Sequence, residues 1–127
     1  MNILGTGVDI VETARIAASL SRHGDRFLAR VFLDGERAYC AKMSFPERCY
    51  AARFAAKEAV SKAFGTGIGA SLGWLDIEVR RKASGEPFVV LHGEGARTAQ
   101  RLGITELRLS LSHSDHYAVA HALALGR

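Results

Sequence analysis

The sequence predicts an α+β fold in which a mostly antiparallel sheet packs against one long central helix. Three observations carry this. Four stretches read as strands that pair off into two hairpins. One uninterrupted helical stretch near the middle, about 19 residues, spans roughly 28 Å. The order of elements is strand, helices, hairpin, helix, hairpin, the order of an α+β domain.

The elements follow from local chemistry. Ile3 to Ile10 reads as a strand in which Gly5 and Gly7 permit close backbone approach. Thr13 to Ser21 reads as a helix. Gly24 interrupts the pattern, and Asp25 can cap a short helix through Val31. Asp34 can cap another through Met43. Ser44-Phe45-Pro46-Glu47 has the form of a helix start, with Ser44 as N-cap, Glu47 completing a capping box and Pro46 in the first turn. That helix runs to Phe64 and stops at Gly65. Leu75 to Arg80 alternates as a half-buried strand should, Ala83 to Glu86 turns the chain, and Pro87 to Leu91 completes a hairpin. Gly95 to Leu102 is a short helix, and Glu106 to Ser112 with Tyr117 to Leu125 forms the last hairpin.

A chain of 127 residues suits a single domain over residues 1–127, and its 48% hydrophobic content can build a core without disulfides. The net charge of +4 favours an acidic partner without choosing among nucleic acid, a phosphorylated ligand, an anionic membrane and an acidic protein. Cys40 and Cys49 lack the paired spacing of a zinc site and read as buried apolar residues. So few cysteines fit a reducing cytoplasm. The expectation is for no signal peptide, because the first residues lack a basic region, and for no membrane span.

Chemistry enters with Asp9, which interrupts an apolar strand between Val8 and Ile10. A strand flanked by Val8 and Ile10 should bury its surroundings, so a charge there needs a cation or several donors; a structural ion pair is the plainer alternative. Glu58 and Lys62 are neighbours one helical turn apart, with Arg53 and Ser61 adding donors nearby. Taken alone, Glu58 and Lys62 read as a solvated surface pair. Together, Asp9, Glu58 and Lys62 are what a magnesium ion on a phosphorylated substrate asks for: few carboxylates, with water and phosphate oxygens completing the shell. Gly65-Thr66-Gly67-Ile68-Gly69 is neither a Walker loop nor a dinucleotide fingerprint, since it follows a helix. His113 and His116 flank a turn with no third ligand in view. Arg15, Arg22, Arg26 and Arg30 would share one helical side if the helix continued past Gly24, either as an ordinary solvated face or as a dock for an acidic helix.

The segments Gly5-x-Gly7-Val8-Asp9-Ile10-Val11-Glu12 and Arg15-Ile16, the stretch from Arg53 to Gly67, and Ser110-Leu111-Ser112-His113-Ser114 resemble the holo-acyl-carrier-protein synthases. These are the small bacterial 4′-phosphopantetheinyl transferases, and the resemblance covers nearly the whole chain. It implies transfer of 4′-phosphopantetheine from coenzyme A to a serine of apo acyl carrier protein, in support of fatty acid biosynthesis. It implies a cytoplasmic homotrimer with each active site between two subunits, and no nucleic-acid or membrane partner. By the same resemblance Asp9 and Glu58 hold Mg2+, and Lys62 lies beside the diphosphate. Ser61 and Gly65 lie in the coenzyme A groove. Arg53, Pro87 and His113 come from the neighbouring subunit, near the adenosine and its 3′-phosphate. Arg15, with Arg22 and Arg26, is the carrier-protein dock. The stretch around His23-Gly24 departs from the family pattern by one extra residue.

Two rivals stay open on sequence alone. A small basic domain for RNA or DNA would make Asp9 and Glu58 structural, and would call for aromatics interleaved with the basic residues. A transferase serving polyketide or other specialised carrier proteins is the second.

Overall fold

The computed structural model describes residues 1–127. Its elements run β1 (Asn2–Glu12), α1 (Thr13–His23), α2 (Asp25–Val31), α3 (Asp34–Ala41), α4 (Pro46–Phe64), a 3₁₀ turn (Trp74–Asp76), β2 (Ile77–Arg81), β3 (Pro87–Leu91), α5 (Gly93–Leu102), β4 (Ile104–His113) and β5 (Tyr117–Gly126). Every strand pair is antiparallel: a three-stranded sheet of order β1-β5-β4 and a hairpin of β2 with β3. The fold is α+β, as the order of elements predicts. No helix is long and apolar enough to cross a membrane.

Small residues bring α4 against the inner face of the three-stranded sheet. Ala118, Ala120, Ala122 and Ala124 of β5 are fully buried, as are Ala51, Ala55, Ala56 and Ala59 of α4. The register places Gly7, Asp9 and Val11 opposite Ala122, Ala120 and Ala118, on this same inner face. Contact is closest at two glycines. A methyl group at Gly5 would overlap the Ala63 carbonyl oxygen, and one at Gly7 would overlap that of Ala59. The strand therefore lies with its backbone on the helix backbone, and Asp9 follows two residues later.

The flanks of Asp9 behave differently from expectation. Val8 and Ile10 were expected to be buried around it, yet they are 57% and 65% exposed. Alternation is the reason: Asp9 faces inward, so its neighbours face out, together with Tyr117 and Val119 of β5. The sheet thus has an apolar outer face that this chain leaves uncovered.

Other boundaries shift for local reasons. Phe45, not Ser44, occupies the N-cap of α4, and no side chain caps it, so the capping box does not form. Leu33 precedes α3 where Asp34 was expected to cap; the Leu33 N–H donates to Glu36 Oε1 at 2.9 Å. The strand expected from Leu75 begins at Ile77, because Asp76 Oδ2 accepts the Gly73 N–H at 2.8 Å and closes a 3₁₀ turn first. Gly24 adopts φ 52°, ψ −125°, which ends α1 and starts α2 at a break, so the arginine run is not one continuous helix.

Two features were unforeseen. Cys40 and Cys49, expected to be separate apolar thiols, are joined in a disulfide, with Cα atoms 5.4 Å apart. Cys40 lies in the last turn of α3 and Cys49 in the first turn of α4, and the short connection folds them together. The second is a buried ion pair. Lys57 Nζ donates to Glu36 Oε1 at 2.7 Å, Val31 O at 2.8 Å and Trp74 O at 3.0 Å, so all three protons are used. Glu36 Oε2 accepts the Val79 N–H at 2.8 Å. This network ties α2, α3, the 3₁₀ turn and β2 to α4.

Candidate active site

Asp9 projects from β1 toward α4, with its side chain 18% exposed. Lys62, in the last turn of α4, donates from Nζ to Asp9 Oδ1 at 3.2 Å and to the Val8 carbonyl at 3.0 Å. Lys62 therefore pairs with Asp9 across the strand–helix contact, not with Glu58 along its own helix. Partial burial pushes the Glu58 carboxyl above the ordinary carboxylate range, and the charge of Asp9 pushes it further; the charges of Lys62 and Arg15 pull it back. Asp9, Glu58, Lys62 and Arg15 therefore form one electrostatic cluster at the junction of β1, α1 and α4. Arg15 is steadied by the Phe54 ring, 5.7 Å from its guanidinium carbon.

A second site lies further back along α4. A pocket of about 290 Å³ is lined by Arg53 and His113 together with Tyr39, Phe45, Arg48 and Arg81 among others. Arg53 is 2% exposed and stacks on Tyr39, its guanidinium carbon 4.3 Å from the ring centroid. Arg53 Nη1 donates to Cys49 Sγ at 3.1 Å, and Arg53 Nε is buried without an acceptor. No carboxylate lies within ion-pair distance of this cation; burial lowers its pKa, while the charges of Glu36 and Tyr39 act against that shift. A buried guanidinium at a pocket wall can accept an anion as partner.

The two sites do not merge within the chain. Arg53 and Glu58 are five positions apart, so their side chains leave α4 roughly 140° apart and about 7.5 Å along its axis.

A family model described as the 4′-phosphopantetheinyl transferase superfamily matches residues 5–122. The chain belongs to this superfamily. It is 50% identical over 121 residues to the holo-acyl-carrier-protein synthase of Koribacter versatilis, covering 95% of this chain and 97% of that one. Its structure is similar to the holo-acyl-carrier-protein synthase of Neisseria meningitidis, with TM-score 0.92 and 31% identity over 98% of this chain and 99% of that one. It is also similar to the Helicobacter pylori synthase in complex with coenzyme A, with TM-score 0.85 and 32% identity over 94% and 99%.

Within this member of the superfamily, the other residues singled out from sequence fall as follows. Ser61 is fully buried, and its hydroxyl donates to the Glu58 carbonyl at 2.7 Å, so it is occupied within the helix. Gly65 takes φ 80° and ends α4 in open space. Pro87 opens β3 opposite Arg81, which lines the Arg53 pocket. Arg26 borders a separate surface hollow with His23, Phe27 and Arg30, while Arg22 stands exposed in the last turn of α1. Arg15 thus sits with the carboxylates, and Arg22 and Arg26 on either side of the Gly24 break. Tyr39, Arg48 and Arg81 were missed by sequence reasoning. Arg48 alone had a signal, since it precedes Arg53 on the same helix.

Proposed function

We propose that this chain transfers 4′-phosphopantetheine from coenzyme A to a serine hydroxyl of apo acyl carrier protein. The products are holo acyl carrier protein and adenosine 3′,5′-bisphosphate. The observation that carries the reading is the Asp9–Glu58–Lys62 cluster with Arg15 at its edge, in a chain of this superfamily. The enzyme works as one domain over residues 1–127, in the cytoplasm, in support of fatty acid biosynthesis.

The donor set fits Mg2+: two carboxylates, Asp9 and Glu58, with the charge of Asp9 adding to the burial that makes ionised Glu58 costly. Held by Asp9 and Glu58, the ion would supply Lewis-acid charge neutralisation to the diphosphate of the substrate. The rest of the work belongs to the chain. Lys62 is half exposed and can follow charge onto the leaving phosphate while keeping its hold on Asp9. The serine proton would pass to Glu58 or to a water molecule in the cluster. Arg15, with Arg22 and Arg26, steers an acidic carrier protein so that its serine arrives beside the carboxylates.

The assembly is a homotrimer. The apolar outer sheet face of Val8, Ile10, Tyr117 and Val119 supplies a surface to bury. The divergence of Arg53 from Glu58 supports a shared site: Arg53, Pro87 and His113 of one copy would receive the adenosine and 3′-phosphate of coenzyme A whose diphosphate lies on the Asp9 cluster of the next. Gly65 leaves that groove open, and Ser61 shapes it only through the helix backbone.

The test is the intact mass of apo acyl carrier protein incubated with this chain, coenzyme A and magnesium, with a chelator control. A gain of one phosphopantetheine, lost with chelator, is expected. Folded protein that modifies no carrier protein would overturn the reading.

A further inference from the structure

The disulfide stands where a ligand would feel it. Cys49 lines the Arg53 pocket and accepts a hydrogen bond from Arg53 Nη1 at 3.1 Å, while Cys40 is fully buried behind it. Tyr39, the residue before Cys40, stacks on the same guanidinium. The segment that the disulfide closes contains Met43, Ser44, Phe45 and Arg48, all of which line the pocket. Arg48 in turn stacks on Phe45, 3.9 Å from its ring centroid. One covalent bond therefore fixes both the orientation of the unpaired Arg53 cation and one wall of its pocket.

We propose that Cys49, through its bond to Cys40, is a redox-sensitive positioning residue for Arg53, so that the thiol–disulfide state of the pair sets the affinity of the pocket for a phosphorylated nucleoside. The proposal rests on the transferase reading for the identity of that nucleoside, the adenosine 3′,5′-bisphosphate end of coenzyme A. Reduction acts through the chain: the segment between the cysteines gains conformational freedom that binding must then remove, and Cys49 Sγ, which accepts the Arg53 Nη1 hydrogen bond, is no longer held in place.

The chemistry balances with a low-molecular-weight disulfide as oxidant. The Cys49 thiolate, on the accessible side, attacks one sulfur of that disulfide and expels one thiolate. The Cys40 thiolate then attacks Cys49 Sγ in the mixed disulfide and expels the second. Two cysteine thiols lose two protons and two electrons, and the small disulfide becomes two thiols. A small thiol in excess reverses both steps. Pairs of this kind in reducing compartments are characteristically transient sensors.

Adenosine 3′,5′-bisphosphate carries no thiol and is the probe. Its dissociation constant is measured by calorimetry on the assembled protein, oxidised with a small disulfide and reduced with a dithiol, the state of the pair checked by intact mass. Reduction should weaken binding about fivefold to tenfold, the scale of disordering one charged contact. In turnover it should raise KM for coenzyme A and leave KM for carrier protein unchanged. Cys40→Ser should bind like the reduced protein under both conditions, and the comparison of the two wild-type states stands without it if the variant does not fold. Equal affinity in both states would overturn the inference while leaving the transferase reading intact, as would a shift in Tm alone, the mark of a merely structural bond. No disulfide under oxidising conditions would also overturn it. No binding in either state would overturn both.

Discussion

Replacing Gly7 with alanine tests whether the strand–helix approach sets the active site. The added methyl group would overlap the Ala59 carbonyl oxygen and lie 2.8 Å from the Ala63 nitrogen. Both obstacles are main chain, so no rotamer change or trimming of a side chain relieves them. β1 must lift from α4 by roughly 1 Å, a misplacement of the size that can cost about 100-fold in rate. Asp9 rides on β1 two residues away, whereas Glu58 and Lys62 ride on α4, so the lift separates the two halves of the cluster. Strain in a close-packed interior costs a further ~1–3 kcal/mol in stability. The assay is carrier-protein modification by intact mass at saturating substrates, paired with thermal unfolding. Gly69→Ala is the control, since a methyl group there meets nothing within 4 Å. A Gly7→Ala protein that is folded and retains more than half the wild-type rate would refute the idea that this contact positions Asp9.

Other outcomes follow from the same geometry. Glu36→Ala leaves Lys57 charged and unpaired in the interior and should cost ~3–5 kcal/mol by urea unfolding, with Glu36→Leu/Lys57→Met losing less than that single change; a loss below ~1 kcal/mol would mean the pair is dispensable. The Glu58 carboxyl is raised in the fold, so the folded chain holds its proton over a range where the unfolded chain does not. Its contribution to stability is therefore full below the ordinary carboxylate range and lost as pH rises through the raised value. Thermal scans from acid to neutral pH should show Glu58→Gln gaining on wild type as pH rises, and parallel curves would reject this. Magnesium should raise Tm more at neutral pH than in acid, because it competes with that proton; equal shifts would point to binding elsewhere. Arg15→Glu should raise KM for carrier protein more than for coenzyme A in steady-state kinetics, and an unchanged carrier-protein KM would reject the dock.

The sequence disclosed what is local or periodic. Alternation marks β2, glycines mark the ends of α4 and α5, and the break at Gly24 is visible because glycine is the residue that tolerates its backbone angles. Gly5 and Gly7 were legible as places of close approach, though not what they approach. The misses are partnerships across long stretches of chain. Lys57 sits in a motif beside Glu58 and looks like one more charge on a helix; its partners Val31 and Glu36 lie 26 and 21 residues away. Only the packed fold shows that Lys57 is interior while Lys62 is half exposed. The disulfide is short in sequence but equally hidden, since two cysteines nine residues apart meet only because α3 and α4 fold back on each other. The face of β1 was misjudged because apolar flanks around Asp9 were taken as a buried environment, when period-2 alternation sends them outward.

That outward face and the Arg53 pocket bear on the rival nucleic-acid reading. Phosphate-tracking grooves need exposed cations beside exposed aromatics. Here Tyr39 stacks on Arg53, Phe45 on Arg48 and Phe54 on Arg15, and the outer sheet face is mostly aliphatic, with Val8, Ile10 and Val119 beside one tyrosine, Tyr117. An isolated chain carries two costs: an uncovered apolar sheet face, and a buried guanidinium with no carboxylate in direct contact. A further copy on the sheet face would remove the first, and a phosphate at Arg53 the second. Because α4 sends Arg53 and Glu58 in diverging directions, the proposed trimer would let two copies share a ligand held at both. On the trimeric reading the same helix thus serves two sites, and disrupting assembly should cost activity even with Asp9, Glu58 and Lys62 untouched. Val8→Asp with Ile10→Asp would test this by placing charge on the outer face only. Sedimentation should show monomer, and transfer should fall with it; a fully active monomer would show that one copy holds the whole ligand.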